Sequence, residues 1–249
     1  MHDDRRLVEQ RLDRVLRDRI RPSRYAASEA LAVEVWHAPG EPVPVQEAMN
    51  AAYQPCHVGD LWGRAWSTSW FRLHGEVPTG WAGRRVEVVL DLGFNDHNPG
   101  FQAEGLAYDA HGSPIKGIHP LNSHVPVADD ARGGERVDLL VEAAANPTIP
   151  LPHPTQLGDR TTAPDIPLYQ LRRADVAVLD EEVWQLGLDV EVLAGLMHEL
   201  SEQEPRRHQI LRALERMLDT LDLHDVSRTA AAARRELTDV LSSPAHASA

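Results

Sequence analysis

Residues 62–92 read WGRAWSTSWFRLHGEVPTGWAGRRVEVVLDL, and this stretch decides the fold class. In residues 67–73 the side chains alternate, with Phe71 and Leu73 on one face and Trp70 and Arg72 on the other. The run 86–92 places Val86, Val88, Leu90 and Leu92 on one side against a mainly polar opposite side, which predicts a half-buried strand. Between the two runs, residues 78–83 (PTGWAG) read as a turn.

The same texture continues outward. Residues 105–108 and 114–118 flank Asp109-Ala110-His111-Gly112, the pattern of a hairpin with glycine in its turn. Val137, Leu139 and Val141 mark a further alternating strand, and 169–179 another. Upstream, residues 30–36 (ALAVEVW) alternate in part before Pro39, Pro42 and Pro44 break the pattern. Several short strands separated by Gly and Pro turns predict an antiparallel β-sandwich of the jelly-roll, galactose-binding-like kind. The Pro- and Thr-rich residues 150–167 read as an ordered surface loop.

Helical periodicity brackets the strands, which makes the class α+β. Leu12, Val15, Leu16 and Ile20 recur at helical spacing, and Pro22 should stop that helix. Asp180 is placed as an N-cap with Glu181 and Glu182 in the first turn. The stripe Val183, Leu186, Val190, Leu193, Met197 and Leu200 follows. Pro205 opens a second helix with Leu211, Leu214, Leu218 and Leu221, and a third is expected near Ser227 with Leu237 and Leu241. The expected organisation is an N-terminal helix (1–24), a β-sandwich domain (25–179) and a helical connector (180–249). The apolar stripes require a partner, either one another, the sandwich or a further domain.

Composition excludes several functions. With 25 basic and 38 acidic side chains the formal charge is −13, which argues against nucleic acid or an anionic membrane surface as a partner. Cys56, the only cysteine, cannot form an intramolecular disulfide. Neither a signal-peptide core nor a bilayer-length apolar run occurs, so the expected location is cytoplasmic.

Motifs for chemistry are sparse. The 13 histidines include no H-E-x-x-H and no His-x-His. His111, His119 and His124 lie near Asp96 and Asp109 in sequence, and exposed loop histidines explain them better than a structural metal. Asp91, Asp96, Glu104 and Asp109 are the carboxylates nearest the sheet edge, where a glycosidase would need a pair. No G-x-S-x-G elbow occurs, and Cys56 has only His57 as a neighbour to activate it. Aromatics are the remaining lead. Trp62, Trp66, Trp70, Trp81 and Tyr108 are candidates for sugar contact or interdomain packing, with packing the better reading because each buries a large apolar area.

Longer strings carry a resemblance. Trp62, Gly63, Trp66, Thr68, Trp70 and Phe71 match a W-G-x-x-W-x-T-x-W-F pattern, and Val77, Pro78, Trp81, Gly83 and Val86 a V-P-x-x-W-x-G-x-x-V pattern. Residues 100–120 (GFQAEGLAYDAHGSPIKGIHP), 137–147 (VDLLVEAAANP), 171–186 (LRRADVAVLDEEVWQL) and 210–222 (ILRALERMLDTLD) continue it in order. Together these resemble the N-terminal region of glycoside hydrolase family 38 α-mannosidases of the cytoplasmic and vacuolar type. The resemblance implies a non-catalytic scaffold whose partner is the α-mannosidase catalytic domain, with further copies of the chain as a second expected partner. The parent enzyme would hydrolyse α-mannosides with zinc held in a later barrel that begins with His-x-His-x-Asp. That motif is expected beyond Ala249, so no zinc ligand or catalytic residue is carried onto this chain, and no cofactor is expected in it. Residues 95–98 depart from the family pattern. The alternative is a stand-alone carbohydrate-binding module acting through exposed tryptophans. A free-standing mannosidase with a novel site ranks third.

Overall fold

The computed structural model describes residues 5–40, 42–95, 100, 102–147 and 165–242. They form two compact units, one from the described residues of 27–178 and one from those of 1–26 and 179–249.

The larger unit is all-antiparallel in its assigned pairings. Its strands are β1 (Tyr25–Ala30), β2 (Ala32–His37), β3 (Gln54–Cys56), β4 (Leu61–Arg64), β5 (Thr68–Glu76), β6 (Val86–Asp91), β7 (Glu104–Tyr108), β8 (Pro114–Ile118), β9 (His124–Ala128), β10 (Arg136–Ala144), β11 (Pro167–Gln170) and β12 (Arg173–Leu179). One sheet runs β3-β2-β5-β10-β7-β8, a second runs β1-β12-β6-β9, and β11 pairs with β4. The expected hairpin is present as β7 and β8, with Ala107 opposite Lys116. Two expected single strands are each divided, 30–36 between β1 and β2 and 169–179 between β11 and β12. At the first break Leu31 N–H bonds Ala174 O at 2.9 Å. At the second, Leu171 N–H turns aside to Asp60 O at 3.0 Å and Arg172 N–H to Asp91 O at 2.8 Å. Each break sends the backbone donors to a different neighbour, which hydrophobic alternation does not register.

Phe71 and Leu73 of β5 point into the main core with Val86, Val88, Leu90 and Leu92, as their alternation predicts. The opposite face of β5 is also covered. Trp70 lies fully buried with Ala38, Ala48 and Leu140, because the short helix α2 (Val45–Met49) supplies Ala48 there. Strand β6 corrects the half-buried expectation, since Val89 and Glu87 on its supposedly polar face are 5% and 1% exposed. Arg85 Nη2 stands 3.5 Å from the Glu87 carboxylate, the compensation that a buried charge requires.

In the smaller unit, α1 (Arg5–Val15) continues as a π-helical turn, Leu16–Ile20, where Arg21 N–H bonds Leu16 O across five residues at 2.9 Å. A 3-10 turn, Pro22–Arg24, ends it, because proline offers no N–H to the ladder. Helix α3 (Glu181–Glu199) starts at Asp180, whose carboxylate accepts from Val183 N–H at 3.1 Å. Helix α4 is Pro205–Thr220 and α5 is Val226–Arg235. The third expected helix is shorter than its pattern suggests. Leu237 lies in a buried turn after α5, while Leu241 sits on α6 (Thr238–Ser242) and is 42% exposed. Leu12, Leu16 and Ile20 join Val183, Leu186, Val190, Leu193, Met197, Leu214 and Leu218 in one core. The stripes after Asp180 therefore find partners in one another and in the first helix.

Replacing Asp180 with alanine removes one acceptor from the first turn of α3. Urea denaturation should show a loss of about 1 kcal/mol, the usual cost of a lost N-cap.

Candidate functional site

Residues 62–67 line a cleft of the larger unit. Gly63 has φ +73, and a Cβ there would stand 2.6 Å from the Ala145 Cβ, so glycine is required both for the left-handed backbone and for the close approach. Beyond β4 the chain reverses through Ala65 and Trp66. Trp66 N–H bonds Ala145 O at 2.9 Å, Ser67 N–H and Oγ both reach Arg64 O, and Ala145 N–H returns to Ser67 O at 2.9 Å. Trp66 has φ +65, the sole non-glycine in the left-handed region among the described residues.

The cleft measures about 640 Å³, and His37, Pro39, Leu61, Arg64, Trp66 and Pro167 are among the residues that line it. Arg64 pairs with Asp165 at 2.7 Å. His37 Nδ1 lies 2.8 Å from Ser69 Oγ. Burial, aided by the Arg64 charge, holds the His37 imidazole below its ordinary pKa of 6.5. No carboxylate is in the lining among the described residues.

The five aromatic candidates separate. Trp62 is core: its Nε1–H bonds Leu92 O at 2.9 Å, its ring meets Phe71 edge-on and stacks on Tyr169, each at 5.3 Å. Trp70 and Tyr108 pack with centroids 5.5 Å apart, and the Tyr108 hydroxyl donates to Glu142 at 3.0 Å. Burial, reinforced by Glu142, pushes the Tyr108 phenol up to about 12. Trp81 is half-buried against the main core. Trp66 alone of the five lines the cleft as a half-buried side chain outside every core cluster of the described residues. His37, Pro39 and Pro167 were not legible as site residues, because they arrive from the end of β2, the bend after it and the start of β11, far away in sequence. Arg64 sits inside the diagnostic string, but no spacing rule selects it.

The other candidates have local duties. Asp91 accepts from Gly93 and Phe94 N–H at 2.8 and 2.9 Å. Asp109 accepts from His111 and Ser113 N–H in the hairpin turn, and these bonds, Ser113 foremost, lower its pKa. Glu104 is exposed at the start of β7, and Asp96 lies outside the described residues. His124 Nε2 is 3.0 Å from Lys116 Nζ. The described residues bring no three His, Cys, Asp or Glu side chains together in a way that could hold a metal ion. Cys56 is buried and its thiol is pushed up to about 11, chiefly by burial and then by Asp60, the reverse of nucleophile activation.

The two sheets, their antiparallel pairings and the shared interior define a jelly-roll β-sandwich. The family model described as "Alpha-mannosidase, jelly roll domain" matches residues 28–177, and the chain belongs to that Ams1-like family. It is 30% identical to human alpha-mannosidase 2C1 over 187 residues, covering 73% of this chain and 17% of that protein. It is 21% identical to alpha-mannosidase G of Dictyostelium discoideum over 212 residues, covering 82% and 18% respectively. The chain thus spans about a sixth of the length of these relatives. A Ruminococcus gnavus beta-glucuronidase structure aligns over 61% of this chain and 29% of its own, at 15% identity and a TM-score of 0.39, too loose a likeness to carry weight.

Two measurements probe this region. Gly63→Ala should lower stability by about 3 kcal/mol in urea, combining a left-handed backbone with steric overlap at Ala145. For His37, the fold resists a proton that the unfolded chain accepts below pH 6.5, so this group removes stability as pH falls through that value. Melting temperatures at pH 7.5 and 5.5 should therefore differ less in His37→Gln than in the native sequence.

Proposed function

We propose that this chain is the non-catalytic N-terminal scaffold of a family 38 α-mannosidase, whose catalytic portion hydrolyses α-mannosides. One coincidence carries this reading: the family match at 28–177 and the compact sandwich at Ala27–Val178 have nearly the same limits. The relatives named as α-mannosidases are about six times longer than the span they share with this chain, which supports a catalytic portion elsewhere. Zinc would supply Lewis-acid chemistry in that portion. The described residues of this chain do not form a set that fits zinc.

The scaffold's contribution is mechanical. A sandwich with both faces of β5 packed holds its loops in place, and a helical unit with its own core supplies a rigid connector. We place the protein in the cytoplasm. A single buried thiol supports this, and no described helix is long and apolar enough to cross a membrane.

The purified chain, supplied with zinc or cobalt, should release no aryl alcohol from an aryl α-mannoside. Extending it with the segment encoded immediately downstream should confer that activity. Hydrolysis by the chain alone would end the scaffold reading, and absence of a downstream His-x-His-x-Asp segment in every frame would remove its parent enzyme.

A further inference from the structure

Trp66 bears two costs together. A bulky residue in the left-handed region costs about 1–3 kcal/mol, and the buried indole Nε1–H has no hydrogen-bond partner among the described residues. Glycine would build the same turn without the backbone cost. The turn therefore does not explain the residue. Core packing does not explain it either, since Trp62, Trp70 and Trp81 each belong to or pack on a core cluster and Trp66 belongs to none. What the position supplies is an indole on the wall of the cleft.

The lining narrows what could sit there. Among the described lining residues there is no carboxylate to select a cation, and Arg64 is already paired with Asp165, which weakens attraction for a polyanion. Leu61, Pro39, Pro167 and Trp66 give the lining its apolar share, and polar surface, to which Arg64 and His37 contribute, is nearly as extensive. The volume falls in the ordinary range for small-molecule sites. A neutral ring with an apolar face and a hydroxylated edge matches this combination.

We propose that this cleft is a binding site for a neutral pyranose ring, with Trp66 as the stacking surface and Arg64 and His37 as partners for the ring hydroxyls. The described lining residues all belong to the sandwich unit. It rests on the α-mannosidase reading only for the choice of sugar.

Calorimetric titration of the whole chain with α-linked mannotriose, and in parallel with maltotriose, tests it. Saturable binding is expected, with Arg64→Ala weakening it about tenfold, the worth of one or two polar contacts. Trp66→Gly keeps the left-handed backbone accessible, so binding should be lost while the melting temperature is unchanged or raised. A merely structural tryptophan would instead lower the melting temperature and leave Arg64→Ala binding like the native chain, which would overturn the proposal. Should Trp66→Gly lose stability, Arg64→Ala decides the matter, because that side chain is 68% exposed and dispensable for packing. No heat with either trisaccharide, or native binding in both variants, also overturns it. Equal binding of maltotriose keeps the pyranose site and detaches it from mannosides, and the aryl-mannoside assay bears on neither result.

Discussion

Strand β5 buries side chains on both faces, and much of the sandwich is arranged around that constraint. Its register pairs Phe71 with Val35 on one side and Val141 on the other, so three strands present their apolar residues to the same interior. One residue along, Trp70 faces outward between Trp36 and Glu142 and must be covered separately. The α2 segment provides that cover with Ala48, Val45 and Met49, and Arg72 lies over the Tyr53 ring at 4.0 Å. A one-residue slip of β5 would exchange the two sets of side chains and expose one core or overfill the other.

This constraint also determines what the tryptophans can do. Those on β4 and β5 are consumed by packing: Trp62 is held by Leu92 O, Phe71 and Tyr169, and Trp70 by Tyr108 and the α2 cover. Trp66 falls between the two strands, where the chain reverses and no core claims it. The close approach of Gly63 to Ala145 fixes the path of that reversal. The cleft lies beside the tight connection of β4 to β5, and Trp66 gives it an aromatic wall without disturbing the core.

The helical unit is a second, independent solution to burial. Its first helix and its last helices are far apart in sequence yet share one core, closed by contacts such as Leu12 and Ile20 with the α3 stripe. Arg11 bridges to Asp219 at 2.8 Å and Arg21 to Glu191 at 3.0 Å, exposed pairs that add little energy but agree with the packing. On the opposite side of α3, Val192 remains 61% exposed.

By itself, the sequence determined the elements and much of their burial. Alternation revealed β5, the β7–β8 hairpin and β10, helical spacing revealed the stripes, and Asp180 announced the start of α3, because each signal depends only on residues within a turn or two of one another. The long strings at 62–92 and 137–147 likewise carried the family. Tertiary structure alone decided which strands had a second buried face, where 30–36 and 169–179 break, and that the first helix packs with the last ones. It also decided which of five aromatics stays outside the cores, and that His37 and Pro167 join Trp66 at one cleft. Those outcomes depend on partners many residues away, and the pattern of a single segment holds no record of which partner will arrive.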